Sequence, residues 1–446
     1  MENESSTNRK KRANLNKSEN IIFIKEINIK HRKKKNINSF SKPFFNPKKL
    51  IILLISLILI LLLILILILI LKGIKYFNNK EKISFNLQKY HNIIKLNPKL
   101  ISPLRNKLNE TYEQLGFVNI NEIESEIPGG RKWFKKLNKS KEVNLGASLD
   151  SNYTLRAILT IASVMDSQFN ETKLRLHFAV VKLSVDNMLK IYSLREKIRD
   201  DVEFNFYNAK KVEFDLPNFH PKGFGILGKI ILPELLKDDV DRIIIIDVGD
   251  ALVLRDLSEM YNWNMENKTF CGTTDMGINR YALISKKPFD IYINTGHYLV
   301  DVKKAKYNKI YDKMVENKNV YTSINYIDQD LLNDIADGQI GYLPLKFGIN
   351  APYEDDKLSD NPPFKTAYDY IVNVKQKEKY TFLPKNQEEM NAQAFNPVII
   401  HQWNSKWQDG LGLTIYRRIA QYYIKLAGIW DEMYNLHPGY FKKQTP

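Results

Sequence analysis

Three stretches at the start of the chain differ sharply in their pattern of hydrophobic and polar positions. Residues 1–49 are polar, rich in Asn and Lys and without periodicity, which predicts a disordered basic arm. Residues 50–71 are almost entirely Leu and Ile, with Ser56 as the only polar side chain, and about 20 apolar residues are enough to cross a bilayer. Residues 72–140 are mixed in charge and contain three prolines among short helical patches, a pattern typical of a stem.

From residue 141 to residue 446 the pattern becomes that of one globular α/β domain. Short apolar runs alternate with longer helical patterns, which predicts a mostly parallel sheet flanked by helices. The predicted strands and helices are the strand Val143–Ala147, the helix Leu155–Met165, the strand Leu174–Val181, the helix Leu189–Ile198, the helix Gly225–Leu236 and the strand at Ile243–Ile246.

The last of these strands leads into a cluster of carboxylates. Four consecutive isoleucines without polar alternation predict a strand that is buried on both faces. Asp247 and Asp250 follow it directly, and the carboxyl ends of such strands are where α/β folds bind ligands. Two carboxylates there favour a hard divalent cation that carries a phosphorylated substrate. An ordinary strand-to-loop turn is the alternative, because Gly and Asp are common turn residues.

The charge distribution indicates the membrane topology and argues against nucleic acid as a partner. Residues 1–49 hold fourteen Lys and Arg against four Glu, so this short tail carries +10 of the formal net charge of +17. Basic residues beside an apolar span are typical topology determinants, and we expect no nucleic-acid binding. The bias predicts a single-pass type II protein with a cytosolic N-terminus and the bulk of the chain in the Golgi or ER lumen. Five Asn-x-Ser/Thr sequons after the span agree with this orientation, although an Asn-rich chain also produces them by chance.

Four segments, in order, resemble motifs of glycosyltransferase family 8, the glycogenin-like enzymes. The resemblance covers roughly residues 143–410. It consists of the segment Asp241–Leu257 with its paired aspartates, Asn294-Thr295-Gly296, Asp328-Gln329-Asp330-Leu331-Leu332-Asn333, and His401 after the strand Val398-Ile399-Ile400.

This resemblance implies a GT-A-type, Rossmann-like fold with a mixed, mostly parallel sheet. It also implies a retaining transfer of a hexose or pentose from a UDP-sugar, with Mn²⁺, to a glycan or protein acceptor. The implied metal ligands are Asp247, Asp250 and His401. One departure from the family pattern is that Val248 occupies the position of its first Asp, so that Asp247 lies one residue early. A bulge at Gly249 would bring Asp247 back to the metal.

The remaining site residues are carried over from the same motifs. The resemblance implies that Asp328 and Gln329 contact the transferred sugar in catalytic roles, although Asp328 also suits a helix N-cap. Lys229 and Lys406 match basic positions that contact the donor, with exposed lysines as the alternative reading. The implied substrate-binding residues are Ala147, Asp150, Tyr153, Lys229, Asn294, Thr295, Gly296 and Lys406.

Two other functions compete with this one. A sugar-phosphate or nucleotidyl transferase would use the same metal chemistry, but the segment around His401 fits it less well. A catalytically inactive, membrane-anchored member of the family would bind a sugar nucleotide or a partner without turnover. The shifted Asp247 and the altered segment around Lys406 are the features that favour it.

Overall fold

The computed structural model describes residues 98–132, 141–209, 223–275, 282–317, 320, 327–350, 380–394, 396–401 and 415–436. The predicted basic tail, the apolar run 50–71 and part of the predicted stem lie outside these ranges. No helix within the described ranges is long and apolar enough to cross a membrane. The membrane span predicted for 50–71 therefore stays a prediction.

The described residues form eleven strands in two sheets. In chain order they are β1 (Phe117–Asn119), β2 (Lys141–Asp150), β3 (Thr172–Val181), β4 (Glu203–Asn208), β5 (Arg242–Ile246), β6 (Ala251–Val253), β7 (Phe270–Thr274), β8 (Ile293–Asp301), β9 (Ile340–Tyr342), β10 (Ile349–Asn350) and β11 (Ile399–His401).

Helices connect and cover these strands, together with two short 3₁₀ turns at Ser151–Tyr153 and Leu345–Phe347. The α-helices are α1 (Pro98–Leu115), α2 (Ile120–Glu126), α3 (Thr154–Ser167), α4 (Val185–Tyr192), α5 (Leu194–Lys197), α6 (Gly223–Leu235), α7 (Ser258–Tyr261), α8 (Val302–Tyr307), α9 (Ile310–Asn317), α10 (Ile327–Ile335), α11 (Gln387–Ala394), α12 (Ile415–Leu426) and α13 (Trp430–Leu436).

The larger sheet confirms the predicted mixed and mostly parallel α/β architecture. Its strand order is β1-β4-β3-β2-β5-β8-β7-β9. Strands β4, β3, β2 and β5 are mutually parallel, β8 runs antiparallel to both β5 and β7, and β9 is parallel to β7. Because β8 is antiparallel, its N-terminal end lies beside the carboxyl end of β5, where Ile246 pairs with His297.

The isoleucine run of β5 lies in the middle of this sheet, and all four side chains are fully buried. Successive strand residues point to opposite faces, so Ile244 and Ile246 belong to one hydrophobic cluster while Ile243 and Ile245 belong to another. Burial of each side chain contributes roughly 2 kcal/mol. The absence of polar alternation in the sequence thus reflects burial on both faces.

A three-stranded sheet brings the C-terminal part of the fold to the same edge. Strand β11 lies between β10, which is parallel to it, and β6, which is antiparallel. His401, the last residue of β11, pairs with Ala251 of β6. Since β6 directly follows the carboxylate cluster, this pairing carries His401 to the end of β5.

The folded unit begins earlier than the boundary predicted at residue 141. Helices α1 and α2 and strand β1 lie in the range assigned to the stem, and β1 is the edge strand of the larger sheet, antiparallel to β4. Leu104 and Leu108 of α1 are buried in the same hydrophobic cluster as the sheet. The sequence pattern missed this because β1 is only three residues long and depends on β4 for its hydrogen bonds.

Candidate active site

The carboxylate cluster forms a tight turn at the end of β5. The backbone amide of Ala251 donates to the carbonyl of Asp247 at 3.1 Å, and the amide of Asp250 approaches the same carbonyl at 3.4 Å. Gly249 has φ +94°, a conformation that residues with a side chain rarely adopt. Gly249 thus allows the tight turn that joins the two aspartates, and the bulge that would bring Asp247 to a metal stays a prediction.

Lys229 of α6 lies beneath this turn with 3% of its surface exposed. Its ammonium donates to Asp247 Oδ1 at 2.6 Å and to the carbonyl of Thr295 at 2.9 Å, and it forms an ion pair with Asp328 Oδ2 at 2.6 Å. Burial alone would lower the pKa of this ammonium, but the two carboxylates outweigh it and raise the pKa well above its usual range. Lys229 is therefore a permanent internal cation, and the exposed-lysine alternative is excluded.

Asp247 faces two basic groups from opposite sides. Burial raises the pKa of its carboxyl, but the Lys229 ammonium and then the His401 ring oppose burial and hold the pKa well below its usual range. His401 Nε2 is 3.7 Å from Asp247 Oδ2, which is too long for a normal hydrogen bond. The carboxylate is consequently ionised, with one oxygen on Lys229 and the other directed towards His401.

Asp328 and Gln329 lie in the first turn of α10 and contact strand β8. The Thr295 hydroxyl donates to Asp328 Oδ2 at 2.8 Å. The Gln329 amide oxygen accepts from the Thr295 backbone at 3.2 Å, and its amide nitrogen donates to the Tyr292 hydroxyl at 3.2 Å. Gln329 thereby ties α10 to β8, a scaffolding role that the sequence did not indicate.

The Asn294 side chain is also engaged within the protein. It donates to Asp275 Oδ2 at 2.5 Å and accepts from the backbone amide of Gly296 at 2.8 Å. A Cβ placed on Gly296 would lie 2.4 Å from His401 Nε2, so only glycine admits the His401 ring here. The three residues of the Asn294-Thr295-Gly296 motif therefore each support a neighbouring polar group.

A second group of predicted residues lies at the end of β2. Asp150 Oδ1 accepts from the backbone amides of Asn152 and Tyr153 at 2.8 and 3.0 Å, which starts the 3₁₀ turn. The guanidinium of Arg156 lies 5.2 Å from the centre of the Tyr153 ring. Burial raises the pKa of Tyr153, and the charges of Asp250 and Asp150 raise it further while Arg156 opposes them. These effects show that the Tyr153 hydroxyl lies within electrostatic reach of both acids.

One predicted residue is not brought to this surface, and another lies outside the residues that the structure describes. Ala147 is fully buried within β2, in the hydrophobic cluster, so its methyl group is part of the core. Lys406 lies outside the described residues.

The sequence model of the family described as "Glycosyl transferase family 8" matches residues 144–404, more than half of the 446-residue chain. The chain belongs to glycosyl transferase family 8. The match contains most of β2, the Asp247–Asp250 turn, the Asn294–Gly296 motif, the start of α10 and His401. This family 8 chain is accordingly a glycosyltransferase.

The chain is also similar to individual proteins at low identity. The chain is 23% identical over 280 residues to General stress protein A of Bacillus subtilis, covering 60% of this chain and 90% of that protein. A solved structure of the galactosyltransferase LgtC with donor and acceptor sugar analogues is 17% identical, with a TM-score of 0.48, and the match covers 65% of this chain and 100% of LgtC. The bifunctional glycosyltransferase WbbM is also 17% identical, with a TM-score of 0.49, over 67% of this chain and 52% of WbbM.

The side chains at the site of this family 8 chain are of the types that bind a divalent cation. Among the described residues, no three His, Cys, Asp or Glu side chains converge into a complete metal cage. Asp247 Oδ2 and His401 Nε2 nevertheless face each other at 3.7 Å, and a carboxylate with an imidazole suits Mn²⁺. Cations that serve phosphorylated substrates take part of their coordination from phosphate and water. Asp247 and His401 fit such a half-site, and Asp250 lies on the same turn.

Three residues near the site carried no recognised signal in the sequence. Asp275 follows β7 and binds Asn294, and its position after an apolar strand could have identified it. His297 is fully buried 5.6 Å from His401, ring centre to ring centre, and burial followed by the charge of His401 lowers the pKa of its ring to about 3. Thr160 of α3 contacts the carboxylate turn, but a threonine inside an apolar helix resembles any core residue.

Proposed function

We propose that this family 8 glycosyltransferase transfers a hexose or pentose from a UDP-sugar to a glycan or protein acceptor, with Mn²⁺ and with retention at the anomeric carbon. The observation that carries the proposal is the bridge formed by Lys229 between the carboxylates of Asp247 and Asp328. Asp247 belongs to the predicted metal side of the site and Asp328 to the predicted sugar side, so the bridge joins the two sides. His401 lies beside Asp247.

Asp247, Asp250 and His401 would hold the cation beside the donor diphosphate. Bound there, a divalent cation neutralises negative charge on the leaving diphosphate oxygens. Lys229 already neutralises part of the charge of the two carboxylates. A ligand with a net negative charge can therefore bind beside them. An ammonium has three donors, and among the described residues that of Lys229 contacts three protein acceptors, so in this account Lys229 orients the two aspartates. The diphosphate is contacted by other groups, of which Lys406 is the proposed example.

Asp328 is the carboxylate assigned to the transferred sugar. Both of its contacts to described residues use Oδ2, which accepts from Lys229 and Thr295. We assign Oδ1 to a sugar hydroxyl or to the positive charge that develops at the anomeric carbon as the bond to the diphosphate breaks. Retention follows when the acceptor hydroxyl attacks the face that the diphosphate leaves, or after attack by a group on the opposite face.

Tyr153 and Asp150 are assigned to the nucleotide. An aromatic ring beside a strand end offers a stacking surface for uracil. Arg156 on one face of that ring would leave the opposite face for the base. The Asp150 oxygen that starts the 3₁₀ turn fixes the backbone from which Tyr153 projects.

We propose further that the enzyme is a single-pass type II protein of the Golgi or ER membrane with a luminal catalytic domain. The support is the apolar run 50–71 and the excess of basic residues that precedes it. Glycan and protein acceptors made in the lumen agree with this location.

The test is a panel of UDP-sugars incubated with the purified full-length chain in detergent, with Mn²⁺ or with EDTA, while UDP release is measured. We expect one donor to be hydrolysed or transferred in Mn²⁺ only, and Asp250→Asn to abolish the release. Metal-dependent UDP binding without turnover of any donor, even with candidate acceptors, would instead identify an inactive family member. No UDP binding at all would refute both.

A further inference from the structure

Two hydroxyl side chains of helix α3 lie in the hydrophobic core with no exposed surface. They are Thr160 and Ser163, and both point towards the segment that follows β5. Polar groups buried in this way are retained only when they are hydrogen-bonded. The partners of these two hydroxyls therefore show what they do.

The Thr160 hydroxyl bridges two backbone groups of the carboxylate turn. It accepts from the amide of Gly249 at 2.8 Å and donates to the carbonyl of Ala251 at 2.7 Å. Gly249 is the residue of this turn with φ +94°. Thr160 thus binds the irregular backbone on both sides of Asp250.

Ser163 makes the same kind of contact one turn of helix further on. Its hydroxyl accepts from the amide of Val253 at 2.9 Å and donates to the carbonyl of Thr160 at 2.7 Å. One edge of β6 is paired with β11. The hydroxyls of α3 bind backbone groups of this segment that do not pair with β11. The helix therefore takes the place of a second neighbouring strand.

Ala251 is the point at which these contacts meet the proposed metal site. Its carbonyl accepts from Thr160, its amide donates to the carbonyl of Asp247, and it pairs with His401 across β6 and β11. The backbone positions of Asp247, Asp250 and His401 therefore all depend on the position of Ala251. The Thr160 hydroxyl holds Ala251 in that position.

We propose that Thr160 is a positioning residue for the metal ligands, an inference that rests on the proposed function. The hydroxyl holds the lengthened Asp247–Asp250 turn in the one backbone conformation that directs both carboxylates correctly and keeps β6 in register with β11. Groups that orient metal ligands from behind typically change metal affinity 10- to 100-fold when they are removed. Ser163 acts on the same strand but beyond the turn, so its loss affects the strand and leaves the ligands in place.

The test measures Mn²⁺ affinity in the presence of UDP, by electron paramagnetic resonance of free Mn²⁺, together with the melting temperature. It uses the full-length chain in detergent. Thr160→Val keeps the shape and removes both hydrogen bonds, and we expect roughly tenfold weaker Mn²⁺ binding. Thr160→Ser restores the hydroxyl and is expected to bind Mn²⁺ as the wild type does. Ser163→Ala is the matched control, with a lower melting temperature and unchanged Mn²⁺ affinity.

Three results would overturn the inference. One is a folded Thr160→Val protein with wild-type Mn²⁺ affinity, and another is a loss in Ser163→Ala equal to that in Thr160→Val. If Thr160→Val does not fold, Thr160→Cys takes its place in the first of these results, because a thiol is a weaker hydrogen-bonding group. Weaker Mn²⁺ binding than in the wild type then supports the proposal, and wild-type affinity refutes it. A wild type that binds no Mn²⁺ with UDP is the third, and it alone also refutes the proposed function.

Discussion

The centre of the site is a charge arrangement that the chain supplies by itself. One buried ammonium, Lys229, is shared by Asp247 and Asp328, whose side chains are 29% and 15% exposed. A buried ion pair contributes little net stability compared with apolar residues, but removing one partner leaves charges that have lost both solvent and counter-ion. The bridge is therefore sensitive to the loss of its cation.

Lys229→Met tests this sensitivity. The two aspartates would remain partly buried without their cation, and we expect the free energy of unfolding to fall by about 3 kcal/mol. Chemical denaturation at neutral pH measures it. Lys303→Met is the control, because Lys303 makes an exposed ion pair with Asp241, and we expect it to leave the midpoint unchanged. An equal midpoint for both variants would contradict the buried-bridge account.

Gly296→Ala tests the placement of His401. The new Cβ would lie within 2.7 Å of three atoms of the His401 ring, so the ring must leave its present position opposite Asp247. We expect Mn²⁺ binding in the presence of UDP to weaken roughly tenfold or more.

Gly338→Ala provides the control for that substitution. No atom lies within 4 Å of its new Cβ, but its φ of +77° is strained for alanine. It should lower stability by about 1 kcal/mol and leave Mn²⁺ binding unchanged. Equal Mn²⁺ affinities in the two variants would show that His401 does not need the space at Gly296.

For single residues, the sequence predicted which of them lie together but not which protein groups their side chains contact. Asp247, Asp328 and His401 were identified through short motifs, and the structure brings them to one edge. Gln329 and Asn294 were predicted to contact sugar, and this stays a prediction; within the protein their side chains tie β8 to α10 and to Asp275. A motif preserves residue identity, but the choice between substrate and neighbouring backbone depends on distances that only the fold supplies.

Among the elements, β3 carries a buried titratable group far from the motifs. His177 is fully buried between Asn144 and the Tyr207 hydroxyl, each 3.1 Å from a ring nitrogen. Burial, and then the charges of Arg175 and Lys237, lower the pKa of this ring well below its usual value of 6.5. The ring is therefore neutral in the folded state.

This predicts acid sensitivity with a definite sign. Above about pH 6.5 the ring is neutral in both states and contributes nothing to pH dependence. Below that pH the unfolded chain binds a proton that the folded chain rejects, so stability falls as pH falls, with a slope of up to about 1.4 kcal/mol per pH unit. Denaturation midpoints of wild type and His177→Gln measured from neutral pH downwards check it. Parallel pH profiles would contradict the assignment to His177.

The elements were predictable in proportion to their burial and length. The pattern predicted β2, β3, β5 and helices α3 and α6 to within a few residues, because long apolar periods reflect extensive packing. Strands β1, β6 and β11 have three residues each, and their pairing is decided by partners distant in sequence. The antiparallel direction of β8 likewise follows from tertiary contacts, since an isolated strand pattern has no direction.

For the whole molecule, the luminal topology makes a prediction about surface asparagines. Asn170 and Asn267 lie exposed in turns that precede β3 and β7, and the sequon threonines, Thr172 and Thr269, are buried. A glycan on either asparagine would extend into solvent. We expect both to be modified when the full chain is made in a eukaryotic secretory host, and Asn152, beside Tyr153, to stay unmodified.

A glycosidase mobility shift measures this modification. It should be present in the wild type and smaller in the Asn170→Gln, Asn267→Gln double variant, which keeps the sequons at Asn109 and Asn138. A wild-type chain with no shift in a membrane fraction would contradict the luminal orientation.

The most direct test of the central claim is the affinity of the full-length chain for UDP, measured by titration calorimetry with Mn²⁺ and with EDTA. We predict binding in Mn²⁺ that weakens about tenfold or more in EDTA. Asp247→Asn should bind UDP equally weakly in both conditions, because the metal carboxylate is lost. UDP binding of equal strength with Mn²⁺ and with EDTA in the wild type would contradict a metal-held donor at the Asp247–His401 edge.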